Sequence, residues 1–388
     1  MNPQAGADLP GLRRWIEGQQ QRWVGALEKL VRQQSPSGDR DGIAACMTAA
    51  QELLEEAVTG ASYDRAPAGP VPALRLEWGE PDATGVLLLG HLDTVWDRNA
   101  PMPQLEVSGG RVRGPGVFDM KGGVVVALAA LAALQQRGRP QGRVTLVLTG
   151  DEEVGSGASR PLIEKEARRN RASLVLEPPL GEAVKVARRG IAQYRLTVRG
   201  RAAHAGLDPA SGVNSVVALA SLVERVARLG RPRLGTFVSP TVFQGGTRTN
   251  VIPALAELDV DVRFPTSAEA SRVDGAIRGL FLRLPRAELE VKGGINRPPF
   301  ESSASSLLFE LAQGVAGQLG WASLEGAEVG GGSDGNLTAA LGVPTLDGMG
   351  IVGGGAHALE EWAELASIPE RGALLAGCLL EIWGRPWD

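Results

Sequence analysis

The three histidines of this 388-residue chain are the side chains best suited to chemistry. Imidazole is the commonest metal ligand in proteins and the usual acid–base group near neutral pH. Each histidine lies in a short segment: Gly90-His91-Leu92-Asp93, Ala203-His204-Ala205-Gly206 and Gly355-Ala356-His357. Since the chain has so few histidines, each is a candidate ligand or catalyst if carboxylates are placed to work with it.

Carboxylates follow several predicted strands and precede one predicted helix. In open α/β sheets, ligands bind beyond the carboxyl ends of the strands, so the side chains that follow parallel strands meet at one edge. Alone, Asp119 could cap its helix and Glu177 could be an ordinary loop carboxylate, but the convergence of four segments favours a shared site. The segments are Gly85–Gly90, followed by His91 and Asp93; Met120–Gln135, preceded by Asp119; Val144–Thr149, followed by Asp151, Glu152 and Glu153; and Ser173–Leu176, followed by Glu177.

This mixture of side chains is typical of a hydrolytic metal site. Carboxylate oxygens and imidazole nitrogens suit Zn²⁺, and also Mn²⁺ or Co²⁺. Asp93, two residues after His91, is placed to accept the second ring N–H of that histidine. Glu152 and Glu153 would point opposite ways from an extended segment, so that one binds metal while the other faces substrate as a general base. Without their neighbours, the two glutamates would be interpreted as a solvated acidic turn.

Composition predicts an ordinary globular protein of two domains. The length exceeds what one core usually fills, and 43% hydrophobic with 22% charged residues is typical of globular chains. A net charge of -4 argues against binding to nucleic acid or a membrane surface. The longest apolar run, Val124–Leu134, is too short to span a bilayer, and the first residues lack a signal peptide's apolar core. Cys46 and Cys378 are predicted to be buried free thiols, so we expect a cytoplasmic protein, although a disulfide stays open.

The order of predicted elements indicates an α/β domain interrupted by an α+β domain. Up to residue 188, strands alternate with helices, as in a mixed, largely parallel sheet. From 189 to 298 the order becomes β-α-β-β-α-β, the ferredoxin-like arrangement. We therefore predict a catalytic domain in two parts, 1–188 and 299–388, around an inserted domain at 189–298. Further predicted helices are Leu12–Gln34, Ile43–Val58, Pro161–Arg171, Gly212–Leu229, Ser267–Leu284, Ser303–Leu319 and Leu365–Trp383, and further predicted strands are Val71–Trp78, Ile191–Val198, Thr236–Phe243, Ala256–Phe264 and Ala287–Val291.

Six motifs follow one another along the chain. They are His91-Leu-Asp93, Gly116-Val-Phe-Asp119-Met-Lys-Gly-Gly, Asp151-Glu152-Glu153-Val-Gly-Ser, Leu176-Glu177-Pro, Gly200-Arg-Ala-Ala-His204-Ala-Gly and Gly353-Gly-Gly-Ala-His357. In type and order, these motifs resemble the M20 family of co-catalytic zinc metallopeptidases and deacylases. The stretch from Gly330 to His357 is most similar to the glutamate carboxypeptidase branch of that family.

The resemblance implies a zinc-peptidase-like catalytic domain with two Zn²⁺ ions, for which Co²⁺ or Mn²⁺ could substitute. Glu152 would be the general base that activates a water between the ions, and Asp93 would hydrogen-bond to the ligand His91 without binding metal itself. The implied ligands are Asp119, which would bridge both ions, His91 and Glu177 at one ion, and Glu153 and His357 at the other.

The resemblance also implies functions for the inserted domain, which in the family is a lid that forms the dimer. We therefore expect a homodimer in which His204 reaches the active site of the partner subunit and stabilises the oxyanion. Arg263 and Asn250 match positions that hold the substrate's carboxylate and nearby oxygens, although Arg263 could instead pair with Asp261. One departure is Ala358-Leu359-Glu360-Glu361, where Ser/Thr-Pro-Asp-Glu is more usual, with Glu361 retained.

The predicted activity is hydrolysis of the amide bond next to a C-terminal amino acid with a free carboxylate, as in glutamate carboxypeptidases. The substrate would be a small peptide or an N-acyl amino acid. The alternative within the family is a deacylase of the acetylornithine deacetylase, succinyl-diaminopimelate desuccinylase or aminoacylase type, with the same metals and base. A non-catalytic homologue that binds zinc or amino acids is disfavoured, because Glu152 and all five ligands are present.

Overall fold

The computed structural model describes residues 8–65, 67–68, 71–138, 140 and 142–386. The chain divides into a larger unit, Met1–Ala187 with Ser302–Glu328 and Ser333–Asp388, and a smaller unit, Arg188–Glu301 with Val329–Gly332. The α-helices of the described residues are α1 Leu9–Glu17, α2 Gln20–Arg32, α3 Arg40–Ala57, α4 Lys121–Gln136, α5 Arg160–Arg169, α6 Ser215–Ala227, α7 Ser267–Arg278, α8 Ser306–Gln318, α9 Gly335–Ala340 and α10 Ser367–Gly384. The strands are β1 Ser62–Asp64, β2 Pro67–Ala68, β3 Val71–Pro72, β4 Leu74–Gly79, β5 Gly85–His91, β6 Glu106–Ser108, β7 Arg111–Arg113, β8 Arg143–Thr149, β9 Ala172–Val175, β10 Val184–Arg188, β11 Gly190–Arg199, β12 Ala203–His204, β13 Phe237–Gly245, β14 Val251–Ile252, β15 Leu255–Phe264, β16 Glu288–Arg297, β17 Gly326–Val329, β18 Thr345–Leu346, β19 Gly353–Gly354 and β20 Trp362–Glu364.

The larger unit is built on a six-stranded mixed sheet in the order β1-β4-β8-β5-β9-β18. The pairs β8–β5, β5–β9 and β9–β18 are parallel, whereas β1–β4 and β4–β8 are antiparallel. Every residue of β5 and β8 is buried, which explains why these strands are nearly continuous runs of Val and Leu. The structure thus confirms the predicted mixed, largely parallel sheet.

The parallel pairing brings the carboxyl ends of three strands to one edge of the sheet. His91, the last residue of β5, is in register with Thr149, the last residue of β8. Leu89 of β5 is in register with Val175, the last residue of β9. The segments that follow these strands therefore start at the same edge, where open α/β sheets bind their ligands.

Helix α4 is buried on all sides from Lys121 to Leu134, because it packs against α2, α3, α10 and β5. Near its start, a Cβ atom added to Gly123 would lie 2.0 Å from the carbonyl oxygen of Leu176. Glycine therefore permits the close approach of this helix to the segment that carries Glu177. Of the described helices, α4 included, none is both long enough and apolar enough to cross a membrane.

The smaller unit is an antiparallel sheet in the order β13-β15-β11-β16, on which α6 and α7 pack. The chain order β11-α6-β13-β15-α7-β16 is the ferredoxin-like arrangement, as predicted. Alternate residues of β15 are buried because one face of the sheet is covered by the helices. The side chains of Asn214 and Thr266 accept backbone N–H groups at the starts of the two helices, at 3.1 and 3.3 Å.

The single predicted helix Leu12–Gln34 is wrong, because the chain forms two helices, α1 and α2, separated at Gly18 and Gln19. The indole N–H of Trp23 donates to the carbonyl oxygen of Ile16 at 2.8 Å, and both side chains are buried. The same carbonyl oxygen also accepts the backbone N–H of Gln19 at 3.0 Å, so two donors occupy it at the end of α1. These contacts at the end of α1 override the amphipathic pattern.

Strand β16 continues beyond its predicted end at Val291 as far as Arg297. It passes through Gly293, whose φ of 95° lies in the left-handed region. A Cβ atom at Gly293 would lie 2.1 Å from the carbonyl oxygen of Gln193 on β11. Glycine thus lets the strand continue where a larger residue would clash with its neighbour.

Candidate metal centre

His91 ends β5 and has 1% of its surface exposed. Its Nδ1 atom lies 3.0 Å from the carbonyl oxygen of Asp93 and 3.4 Å from Oδ1 of the same residue. Its Nε2 atom lies 3.3 Å from Oδ1 of Asp119 and 3.5 Å from Oε1 of Glu177. One ring nitrogen is thus held by Asp93, and the other faces two carboxylates.

Asp93 is fully buried and connects His91 to the segment after β8. Its Oδ2 atom accepts hydrogen bonds from the Ser37 hydroxyl at 2.8 Å and from the backbone N–H of Glu153 at 3.2 Å. Its Oδ1 atom accepts from the backbone N–H of Glu152 at 3.1 Å. One carboxylate therefore orients an imidazole and two neighbouring glutamates. The sequence indicated only the contact between Asp93 and His91.

Asp119 lies between two imidazoles. Its Oδ1 atom is 3.3 Å from Nε2 of His91, and its Oδ2 atom is 3.7 Å from Nε2 of His357. The same atom of His357 is 3.1 Å from Oε2 of Glu153. His357 has a φ of 61° and follows Gly355 with a φ of 74°, so a tight loop carries this imidazole to the carboxylates.

Glu152 and Glu153 lie in a short 3₁₀ turn, so the extended segment predicted for them is wrong. The turn forms because Asp93 accepts both backbone N–H groups. Gly155 closes the turn with a φ of 96° and donates its N–H to the carbonyl oxygen of Glu152 at 2.8 Å. A contact with a residue far away in sequence therefore sets the local conformation.

Both glutamates nevertheless reach the centre around His91. Potential ligand atoms of His91, Asp119 and Glu153 lie within 4.8 Å of one another, and so do those of His91, Glu152 and Glu177. All the residues that sequence analysis placed at the metal site in the larger unit are therefore close together. At this distance the Glu152 carboxylate could serve a metal ion at His91 either as a ligand or as a base beside it.

The electrostatics of the cluster favour positive charge at its centre. Burial opposes protonation of His91, but the surrounding carboxylates, chiefly Asp119, outweigh it and raise the pKa of His91 well above its usual value. The hydrogen bond with Glu153 raises the pKa of His357 to about 9. Burial raises the pKa of Glu153, which is costly to ionise without a cation nearby. The cluster therefore attracts protons or, equally, metal cations.

Two buried atoms in this cluster have no hydrogen-bond partner: Nε2 of His91 and Oδ1 of Asp119. Buried polar atoms without partners are rare and costly, and in native proteins they need an explanation. A metal ion between a nitrogen and an oxygen ligand would satisfy both atoms. Since imidazole with carboxylates suits Zn²⁺, Mn²⁺ or Co²⁺, the residues present fit such an ion.

His204 lies in the smaller unit, on β12, which pairs with β14. Its neighbour Ala205 donates its backbone N–H to the carbonyl oxygen of Asn250 at 2.9 Å, so the two predicted site residues His204 and Asn250 lie close together in the fold. The Nδ1 atom of His204 accepts the backbone N–H groups of Gly206 and Leu207, each at 3.1 Å. Because Nδ1 is an acceptor, the neutral ring carries its proton on Nε2, which is then a donor.

Arg263, on β15, forms a two-point ion pair with Asp261 in the smaller unit. Its Nε atom lies 2.8 Å from Oδ1 and its Nη2 atom 3.0 Å from Oδ2 of Asp261. This is the pairing that the sequence left open as an alternative for Arg263. The Nη1 atom is outside the pair, so the guanidinium retains donors for a second carboxylate.

Glu361 adjoins the candidate metal centre, and the sequence assigned it no role. Its carboxylate is 1% exposed and accepts the backbone N–H groups of Phe118 and Asp119 at 2.9 and 3.1 Å. The signal in the sequence was its retention, four residues after His357, within an otherwise altered family pattern. Burial raises the pKa of Glu361, and its hydrogen bonds with these N–H groups oppose that change.

A cluster of imidazoles and carboxylates at the carboxyl edge of a mixed sheet defines a class, the metal-dependent hydrolases. Residues 87–381 match the model of peptidase family M20/M25/M40, and the chain belongs to this family. It is 30% identical over 374 residues to carboxypeptidase G2 from a Pseudomonas species, covering 92% of this chain and 89% of that protein. It is also 30% identical over 346 residues to succinyl-diaminopimelate desuccinylase from Cereibacter sphaeroides, covering 82% of this chain and 90% of that protein. The chain is therefore an M20 metallohydrolase that acts on peptide or related amide bonds.

Solved structures share the fold over more than nine-tenths of the chain. An M20 family metallo-carboxypeptidase from Sulfolobus solfataricus matches with a TM-score of 0.71 and 16% identity, covering 93% of this chain and 99% of that one. A dinuclear metal-binding peptidase of the M20 family from Bacillus subtilis matches with a TM-score of 0.69 and 17% identity, covering 95% of this chain and 99% of that one. At these identities the likeness supports the fold, and the resemblance stated from the motifs is confirmed at the level of the family.

Proposed function

We propose that this chain is a dinuclear metallocarboxypeptidase of the glutamate carboxypeptidase type. The observation that carries the proposal is the position of Asp119, whose two carboxylate oxygens face the imidazoles of His91 and His357 separately. That arrangement suits a carboxylate shared by two ions. Glu177 would complete the site at His91, and Glu153 would complete the site at His357.

Two Zn²⁺ ions, for which Co²⁺ or Mn²⁺ could substitute, would supply Lewis-acid chemistry that acidifies water and polarises the scissile carbonyl. The chain's own residues perform the remaining steps. Glu152 takes a proton from the attacking water and later delivers it to the leaving nitrogen of the amide. Asp93 keeps the ring of His91 and the Glu152 backbone in place while this happens.

His204 would stabilise the oxyanion of the tetrahedral intermediate. The hydrogen bonds of its Nδ1 atom leave Nε2 as the donor, which is the form an oxyanion requires. We propose that His204 serves the active site of a second copy of the chain in a homodimer formed by the smaller unit. Cytoplasmic location is part of the same proposal, since Cys46 and Cys378 are buried free thiols.

Arg263 and Asn250 would hold the free carboxylate of the substrate. Arg263 already binds one carboxylate, that of Asp261, in two-point geometry, and its outer donors suit a second. The similarity to carboxypeptidase G2 over most of the chain supports carboxypeptidase activity. The preference for a C-terminal glutamate rests on the resemblance of the stretch from Gly330 to His357 to the glutamate carboxypeptidase branch. The similarity to succinyl-diaminopimelate desuccinylase supports deacylation of an N-acyl amino acid as the second candidate.

A panel of matched substrates tests which activity this chain has. Metal-stripped protein is reloaded with Zn²⁺, Co²⁺ or Mn²⁺ and assayed on an N-acyl-glutamate, its C-terminal amide, N-acetylornithine and N-succinyl-diaminopimelate. We expect hydrolysis of the glutamate substrate, loss of activity on the amide, and a raised KM for Arg263→Lys. Hydrolysis of the ornithine or diaminopimelate substrate alone would overturn the carboxypeptidase assignment.

Mixed dimers test the contribution of His204 to a partner. Glu152→Gln and His204→Ala subunits would each be inactive alone, but a dimer of the two has one site with both residues intact. After subunit exchange, we expect recovery of up to about a quarter of the wild-type activity, because half of the dimers are mixed and each has one complete site. Full activity of a monomer, or no recovery despite demonstrated exchange, contradicts the shared site.

A further inference from the structure

The carboxylate of Glu361 accepts four hydrogen bonds from two parts of the larger unit, the loop before Asp119 and the segment that carries Trp96. Its Oε1 atom accepts the backbone N–H groups of Phe118 and Asp119 at 2.9 and 3.1 Å. Its Oε2 atom accepts the backbone N–H of Gly116 at 3.1 Å and the indole N–H of Trp96 at 2.8 Å. A carboxylate offers about four acceptor positions, so these four hydrogen bonds occupy the acceptor positions of the buried Glu361 carboxylate.

The loop before Asp119 depends on these acceptors. Gly116 has a φ of 75°, and the residues from Gly116 to Asp119 belong to no strand or α-helix, so regular structure does not satisfy their N–H groups. Glu361 accepts three of these four backbone N–H groups. The position of the Asp119 side chain, at the end of the loop, therefore depends on Glu361.

Glu361 is equally tied to the loop of His357. The N–H of Ala358 donates to the carbonyl oxygen of Gly355, and the N–H of Glu361 donates to that of Ala358, both at 2.9 Å. These turns place Glu361 four residues after His357 in a compact loop. One residue thus joins the loop of His357 to the loop of Asp119, whose side chains lie 3.7 Å apart.

We propose that Glu361 is a positioning residue that sets the spacing of Asp119 and His357 and so determines how tightly the metal centre retains its ions. This inference rests on the proposed function of Asp119 as the shared ligand.

The variant Glu361→Gln tests the proposal, because an amide presents one oxygen and one NH₂ group to four donors. Two of the four donors lose their acceptor. We expect metal affinity to fall by about 10–100-fold, the range for residues that orient metal ligands. The measurement is titration of metal-stripped protein with Zn²⁺ against a competing chelator, supported by the absorption spectrum of the Co²⁺-loaded protein. Trp96→Phe removes one donor outside the loop and should reduce affinity less.

Glu166→Gln is the matched control for lost stability. Glu166 is also a fully buried carboxylate of the larger unit, but its ion pairs are with Arg75 at 3.1 Å and Arg169 at 2.7 Å. We expect this variant to lower the unfolding temperature of the metal-free protein while leaving metal affinity and the Co²⁺ spectrum unchanged. Wild-type affinity in Glu361→Gln, or an equal loss of affinity in both variants, overturns the positioning role.

Asp119→Asn separates this proposal from the proposed function. If metal is lost in Asp119→Asn but bound normally by Glu361→Gln, the positioning role fails and the shared ligand stands. If Asp119→Asn binds both ions as the wild type does, the shared-ligand assignment fails, and the positioning role of Glu361 fails with it.

Discussion

Replacing Asp93 by Asn tests how far one buried carboxylate organises the metal centre. Its Oδ1 atom accepts from Glu152 and faces His91, and its Oδ2 atom accepts from Ser37 and Glu153. Asn has one oxygen and one NH₂ group, so in either orientation one of the two backbone N–H groups faces another donor. An unpaired buried donor costs about 1–3 kcal/mol, and we expect metal affinity to fall by about 10–100-fold.

Chelator competition on metal-stripped Asp93→Asn measures that affinity, and thermal unfolding of the metal-free protein measures stability. Asp39→Asn is the control, because Asp39 caps α3 through the N–H of Gly42, a bond that Asn retains, and should leave metal affinity unchanged. Unchanged metal affinity and unchanged stability in Asp93→Asn would show that Asp93 does not organise the metal centre.

The same variant has a predicted pH dependence. Burial raises the pKa of Asp93, but hydrogen bonds with His91 and Ser37 outweigh it and hold the pKa below its usual value. A lowered pKa contributes stability that is present above about pH 4, the unfolded value, and is lost as pH falls through the folded value. The stability difference between the wild type and Asp93→Asn should therefore shrink in acid.

Three further predictions concern His357, the metal ions and helix α4. Glu153 raises the pKa of His357 to about 9, so the metal-free protein should lose the stability contributed by this pair as pH rises from about 6.5 to about 9. His357→Asn should abolish that part of the pH dependence in thermal melts. Removal of metal by a chelator should abolish hydrolysis and lower the unfolding temperature, and added Zn²⁺ should restore both; activity that survives complete metal removal contradicts the metallohydrolase mechanism. Gly123→Ala should destabilise the fold by about 1–3 kcal/mol and weaken metal binding, because its Cβ atom would lie 2.0 Å from the backbone oxygen of Leu176. The control Gly25→Ala has nothing within 4 Å of its Cβ atom, so its unfolding temperature should be unchanged or higher.

The sequence predicted the parts of the site that follow directly from strand ends. Continuous apolar runs identify β5, β8 and β9, and parallel pairing then requires that His91 and Glu177 start from one edge of the sheet. The order of elements likewise predicts the ferredoxin-like unit. These features depend on local sequence patterns and on general rules of sheet topology, and both can be applied to a single sequence.

The remaining features depend on contacts between residues far apart in sequence. The turn at Glu152 exists because Asp93, 59 residues earlier, accepts its N–H, and no local pattern indicates that contact. Glu361 acts on a loop more than 240 residues away in sequence. Such features require the folded structure, because tertiary hydrogen bonds decide them.

Glu152→Gln, assayed for hydrolysis and metal content together, tests whether Glu152 is the general base of a metal-dependent hydrolase. Potential ligand atoms of Glu152, His91 and Glu177 lie within 4.8 Å of one another, so Glu152 could be a ligand or a base. The two roles predict different results for this variant. If Glu152 is the general base, Glu152→Gln should lower kcat by about 10²–10⁴-fold and retain two ions per subunit. Glu153→Gln should lose metal. Wild-type hydrolysis by Glu152→Gln, or loss of activity that matches a loss of metal, would contradict the account.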